Sequence, residues 1–519
     1  MPELIKNYIK TSRLLSTEVL RSVFDSDYTI PEVMPEIKQV LTVDAKAFVE
    51  KTSVDGDRVS AEVLIKYTVL YMPEGEEVSV KSVSFKNSQT FLINAPGIEE
   101  EFRAVVKCCV EQTEVLSAGG RKLSVRCVVK CSSHIENISE IAVPCDILGI
   151  EDVQTRDDIC PMNVTIENLT DVLDLKERIS LPVGKDPIYR VIKSNASISD
   201  ITYSVASNEL TVKGILNVTT LYEADGVTKD LQVMESEVPF SEVIFVENDS
   251  DTLDWSIDYS LVSFCLDAEE DADGEKRVLC IVSSIKFDVT SSENVPVKMM
   301  TDAYSLSCAF DLSRKNFDVY TKCGDLMSQF VLKNAVSVPE GFPAIAEIVN
   351  LDGQIGQMEV TAEDGGAIIE GAVVCNILYL AKDAESPIAS FTEQIPFAQK
   401  IDRRDITPET LINLNLNVNH TSYSLLSPTE TELRIALSAQ GEALNAQPIN
   451  MISDVGTVYE LDANAANRAS ILIYVVQPGD TMWKIAKRYN APIEILKSIN
   501  DIENADLILP GQKLLIPRS

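Results

Sequence analysis

Only two imidazoles, His134 and His420, occur among 519 residues, so acid–base catalysis would have to draw mainly on carboxylates. The densest carboxylate runs are Glu99-Glu100-Glu101 and Glu269-Glu270-Asp271. A catalytic pair needs a cleft that drives its two pKa values apart, whereas both runs sit in polar surroundings that read as solvated loops. Either histidine could act as a base, but neither lies in a nucleophile motif, and ordinary surface or strand placement explains both. Cys127, Cys131 and His134 are metal-ligand types without the spacing of a zinc knuckle. Cys108 and Cys109 are neighbours on one strand, where successive side chains point to opposite faces. No glycine-rich phosphate loop is present. These residues read as no enzyme, no metal and no cofactor.

What remains is recognition, and the end of the chain carries it. From Tyr474 to Pro517 two short apolar strands flank two helical patterns. Asp480 or Thr481 can cap the first helix after the Pro478-Gly479 turn. Met482, Ile485, Ala486 and Tyr489 then recur at the spacing of a buried helical face, and Ile495, Leu496 and Ile499 repeat that pattern. Pro510-Gly511 turns the chain into the closing strand. The unit is a small βααβ module over 474–519, preceded by a linker over 456–473. Lys484, Lys487 and Arg488 put a basic face on its first helix, suited to an acidic protein partner.

The run V-x-P-G-D-T-M-W-x-I-A, followed by L-P-G-Q-K-L-x-I-P, resembles a LysM domain over the whole module. The resemblance implies a shallow groove for glycan containing N-acetylglucosamine, that is, peptidoglycan. Its walls would be Gly479, Asp480, Thr481 and Met482 on one side and Asp506, Leu507, Ile508 and Leu509 on the other. The alternative use of the same loops is docking to a protein, and the rest of the chain favours that.

The chain's length suggests three or four domains, and 45% hydrophobic residues are enough to give each a core. The charge is extreme: 45 basic against 80 acidic residues, or −35. The terminal module holds six basic residues (Lys484, Lys487, Arg488, Lys497, Lys513, Arg518) and five acidic ones (Asp480, Glu494, Asp501, Glu503, Asp506), so the acidity lies upstream. Such a surface repels phosphate backbones and anionic lipid, which argues against nucleic-acid binding. Neither a signal peptide nor a membrane-length apolar run is visible, so direct membrane insertion is not expected. The eleven cysteines are odd in number and lack a framework spacing, which reads as reduced thiols.

Along the chain, apolar pairs from Leu4-Ile5 to Val23-Phe24 predict a helical segment over 1–29. Then landmarks repeat. Prolines stand at 35, 187 and 343, steps of 152 and 156, and tyrosines at 71, 222 and 379, steps of 151 and 157. An apolar-x-Phe marker follows at Phe85, Phe240 and Phe397. Between landmarks, alternation such as Leu123-Val125-Cys127-Val129 predicts strands with one buried face, and Asp-Gly and Gly-Gly pairs supply turns. The fold class is therefore mainly β: three antiparallel sandwich or barrel domains over 30–150, 151–310 and 311–455, the last two with connecting segments, then the βααβ module. Leu70, Leu221 and Leu378 should fall on equivalent strands.

The three copies, with leaders such as Ile30-Pro31 to Pro35-x-Ile37, resemble the SPOCS domain of spore-coat-associated proteins. Three such domains and one LysM match a clostridial family of coat morphogenetic proteins. That resemblance implies a non-enzymatic coat-assembly scaffold in the mother-cell cytoplasm at the forespore surface. Its partner would be the spore coat ATPase, stage IV sporulation protein A, with a peptidoglycan anchor as the alternative.

Overall fold

Period-two burial governs the first 460 residues. The computed structural model describes residues 2–55, 57–75, 80–96, 102–226, 230–382, 388–460, 471–504 and 507–517. Repeat 1 comprises β1 (Glu3–Thr29), β2 (Ile37–Asp55), β3 (Arg58–Pro73), β4 (Lys81–Asn94), β5 (Phe102–Gly119) and β6 (Lys122–Leu148). Repeat 2 comprises β7 (Val153–Ser180), β8 (Ile188–Ala206), β9 (Glu209–Ala224), β10 (Leu231–Phe245), β11 (Asp254–Glu270) and β12 (Lys276–Ser305). Repeat 3 follows with β13 (Cys308–Ser337), β14 (Ile345–Glu363), β15 (Gly366–Ala381), β16 (Ile388–Asp402), β17 (Leu411–Ser427) and β18 (Glu430–Glu460). Each repeat folds as two three-stranded antiparallel sheets, in orders β1-β6-β5 and β2-β3-β4 for the first and likewise for the others. Their inner faces pack as a sandwich over one core. Along β3 and β9 the order of buried and exposed positions is identical over all 16 residues.

The sequence landmarks have a physical cause. The Tyr71 hydroxyl donates to Pro35 O at 3.1 Å and that of Tyr379 to Pro343 O at 2.9 Å, so each tyrosine fastens its own leader. In repeat 2 Tyr222 turns to Gln232 instead, at 2.9 Å. The phenylalanine marker needs correction. Phe240 and Phe397 lie opposite Gly214 and Gly371, where an added Cβ would meet their rings at 2.6 and 2.9 Å. Phe85 instead faces Tyr67 and stacks on Tyr28 at 4.2 Å, so it is not the equivalent position.

The helical segment expected over 1–29 is also corrected: it is the strand β1, paired along its length with β6. Leu20, Ser22, Phe24, Ser26 and Tyr28 turn inward while Arg21, Val23, Asp25 and Asp27 face out. Pairing with a distant partner overrode a local pattern of apolar doublets that fits either period. The segments before Pro187 and Pro343 are the same element, β7 and β13, which form the long outer strand of each repeat.

The three repeats close into a ring with approximate threefold symmetry. β5 meets β14, β17 meets β8, and β11 meets β2. Leu70, Leu221 and Leu378 occupy one register position on β3, β9 and β15 and come together on the axis with Val80, Ile192 and Ile388. Farther along β2, β8 and β14 lie Asp44, Asn195 and Asp352, each 27 residues before its tyrosine. Lys193, from the position of Thr42 and Asn350, bridges Asp44 and Asp352, with Asp352 Oδ2 at 2.8 Å. Burial alone would lower the Lys193 pKa, but the two carboxylates outweigh it and push it up. A second axial triad, also from equivalent positions, joins Lys107 Nζ to Asp258 Oδ1 at 2.9 Å and to Asn415 Oδ1 at 2.7 Å. A polar chamber of about 830 Å³ lies among the three repeats. Beyond it the outer strands continue as three two-stranded ribbons whose inner faces form a stalk around Ile141, Met162, Val297, Val319 and Met451.

Among the described residues no helix is long and apolar enough to cross a membrane, and no cluster of three or more metal-ligand side chains occurs.

Candidate docking module

At the C-terminus β19 (Ile471–Val475) pairs antiparallel with β20 (Lys513–Pro517), with α1 (Met482–Tyr489) and α2 (Ile493–Ile499) between them. Met482, Ile485, Ala486, Leu496, Leu514 and Ile516 form the core. The two candidate caps divide the work. Thr481 caps α1, its hydroxyl accepting from Lys484 N at 3.2 Å. Asp480 accepts from the Tyr474 hydroxyl at 2.6 Å and Gln477 N at 2.9 Å, and these bonds hold its carboxyl below the usual range.

The predicted groove residues therefore split. Gly479 is exposed, Asp480 and Thr481 brace their own turn, and Met482 is fully buried. Met482 supports the loop from beneath and offers nothing to a ligand. On the other wall Leu507 is 72% and Leu509 69% exposed, while Ile508 packs against the module core. Asp506 lies outside the described residues. Of the basic face, Lys484 and Arg488 are exposed, while Lys487 is engaged within the chain.

That engagement is a clamp the sequence did not reveal. Asp302, near the end of β12, accepts from Trp483 Nε1 at 2.8 Å and Lys487 Nζ at 2.6 Å. The Tyr304 ring packs edge-on to Trp483 at 5.1 Å, and its hydroxyl donates to Ala491 O at 2.7 Å. Asn490 Nδ2 donates to Ser305 O at 2.8 Å. Burial would raise the Asp302 carboxyl, but the bonds from Lys487 and Trp483 outweigh it and hold the pKa below its ordinary value. Trp483 was readable as one of two tryptophans in the chain. Asp302 and Tyr304, some 180 residues away, carried no local signal.

The candidate catalytic groups remain apart. Glu99, Glu100 and Glu101 lie outside the described residues. Glu269 and Glu270 end β11, Asp271 opens the next turn, and His420 is exposed on β17. Cys108 and Cys109 face opposite ways: Cys108 packs against the repeat 1 core and Cys109 is exposed.

A ring of three repeated β sandwiches carrying a small clamped βααβ module defines a modular, mainly β protein. The profile described as "SipL, SPOCS domain" matches residues 36–116, 187–264 and 344–426, and the LysM domain profile matches 474–517. Together they cover just over half of the chain, which belongs to the SipL-type SPOCS proteins with a C-terminal LysM. Curated relatives share one short segment. The spore coat assembly protein ExsA of Bacillus cereus is 50% identical over 46 residues, 9% of this chain and 7% of that protein. SpoIVD-associated factor A of Bacillus subtilis (strain 168) is 46% identical over 46 residues, 9% of this chain and 12% of that protein. YdhD of the same strain, named for a sporulation-specific glycosylase activity, is 36% identical over 47 residues, 9% of this chain and 11% of that protein. The chain thus spans only about a tenth of the relatives' length. No solved structure matches.

Proposed function

We propose that this chain is a non-enzymatic scaffold of spore coat assembly, acting at the forespore surface in the mother-cell cytoplasm. Its LysM docks on a protein partner, the spore coat ATPase, stage IV sporulation protein A. The carrying observation is the exposure of Leu507 and Leu509 on a module clamped to the stalk through Trp483 and Lys487. Two exposed leucines on one loop suit the apolar side chains of a polypeptide, since buried apolar anchors dominate protein interfaces. Lys484 and Arg488 add a rim that steers an acidic partner. The name of one relative, the spore coat assembly protein ExsA, supports the setting. The LysM match supports a second reading, in which the module anchors the coat to peptidoglycan.

The test is co-purification of the full chain with the ATPase, alongside sedimentation with purified peptidoglycan. Leu507→Ala with Leu509→Ala should cost about 2 kcal/mol or more of partner binding, roughly thirtyfold in affinity. Lys484→Glu with Arg488→Glu should weaken binding mainly at low salt. Strong pelleting with peptidoglycan, together with unchanged partner binding in both pairs, would make the module a glycan anchor.

A further inference from the structure

Repeat 1 holds a pair of thiols where the other repeats hold none. Cys108 on β5 lies directly opposite Cys131 on β6. The corresponding pair is Tyr259 and Phe287 in repeat 2 and Leu416 and Ala439 in repeat 3. The fold thus accepts side chains of different chemistry at this point, and two sulfurs are not needed to build it. Directly opposed residues on antiparallel strands have Cβ atoms about 4.5–5.5 Å apart, close to the roughly 3.5–4.5 Å of a disulfide. Cys131 is sealed in the repeat 1 core, whereas Cys108 also lines the chamber of about 830 Å³ among the repeats. Cys108 therefore borders the chamber, and Cys131 does not.

We propose that Cys108 and Cys131 are a redox site whose substrate is a low-molecular-weight disulfide admitted through the axial chamber. Cys108 gives its proton to water and its sulfur attacks the incoming disulfide, releasing one small thiol and leaving a mixed disulfide. Cys131 then loses its proton, attacks the Cys108 sulfur and releases the second small thiol. Two protein thiols are oxidised, one small disulfide is reduced to two thiols, and a Cys108–Cys131 bond ties β5 to β6. The adjacent Cys131 thiol and burial push the Cys108 thiol pKa up, so its thiolate is scarce and the exchange is slow unless the small disulfide is abundant. β5 packs against β14 of repeat 3 and carries Lys107 of the second axial triad, so the bond would latch one joint of the ring.

Oxidised glutathione applied to the native full-length chain, followed by alkylation and peptide mapping, tests this. Titratable thiols should fall by two from eleven, with Cys108 and Cys131 recovered as one linked peptide. Cys109→Ser should leave that loss intact. Cys108→Leu with Cys131→Ala installs the pair of repeat 3; it should fold normally, judged by its urea midpoint, and form no linked peptide. Eleven thiols persisting in the native chain, a stable mixed disulfide at Cys108, or linkage through Cys109 would each overturn the proposal.

Discussion

Two contacts join a lysine to aspartates far away along the chain, and they differ in their exposure to water. Lys193, between Asp44 and Asp352 on the ring axis, has a side chain only 5% exposed. Lys487, on Asp302 at the LysM clamp, is 41% exposed. Dry charges attract strongly but are costly to leave unpaired, whereas half-wet charges lose little when separated because water replaces the partner. The axial contact thus behaves as part of the fold, and the clamp as a joint that fixes a module's direction. A homotrimer would set three lysines against three aspartates there, and could not build one lysine shared by two aspartates. Joining the repeats in one chain allows Asp44, Asn195 and Asp352 to differ.

The largest effect should come from Lys193→Met. Leaving Asp44 and Asp352 buried without their bridge should cost about 3–5 kcal/mol, read as a lowered urea midpoint. The triple change Lys193→Met, Asp44→Asn, Asp352→Asn should restore most of that loss. If the single variant unfolds like the parent, the axial charges are wetter than their burial implies.

Leu70→Ala, Leu221→Ala and Leu378→Ala should each cost about 2–5 kcal/mol, the usual loss for a buried leucine that leaves a cavity. Near-equal losses, with coupling between pairs, would sharpen the threefold reading. One position losing almost nothing would show that one repeat stands off the axis.

Asp302→Ala should weaken the clamp by about 1–3 kcal/mol while leaving the urea midpoint of the ring unchanged. Hydrogen exchange should speed up on the outer side of α1 and at Asn490. Simultaneous loss of the ring would mean that the LysM is part of the same cooperative unit.

The smallest effect is on pH. The Asp302 carboxyl is held below its ordinary value of 3.8, so its contribution is complete above that pH. It is lost as the pH falls through the lowered native value, when Lys487 and Trp483 lose a charged acceptor. Trp483 fluorescence should therefore change below about pH 4, more steeply in the parent than in Asp302→Asn.

Much of the ring was legible because its landmarks report shared local physics. Pro35 and Tyr71 recur because the phenol binds the leader carbonyl, and alternation was readable because strands bury every second residue. β1 misread as helix because doublets such as Leu4-Ile5 and Val23-Phe24 fit a helical face as well as a twisted strand. Phe85 misread because an apolar-x-Phe spelling says nothing about register. Within the LysM, the positions of Met482, Ile485 and Ala486 on a helical face were legible, yet that same periodicity buries Met482 and removes it from the groove.

The sequence by itself determined three β repeats, their order, the terminal βααβ module and the acidity of everything before it. Each of those follows from residues near one another in the chain, through alternation, turns and caps. Tertiary structure alone decided that the repeats close on an axis, that Lys193 meets aspartates from the repeats on either side, and that Trp483 and Lys487 reach Asp302. Such contacts depend on which faces meet once the sheets have formed, and a single position carries no mark of a partner so far away along the chain.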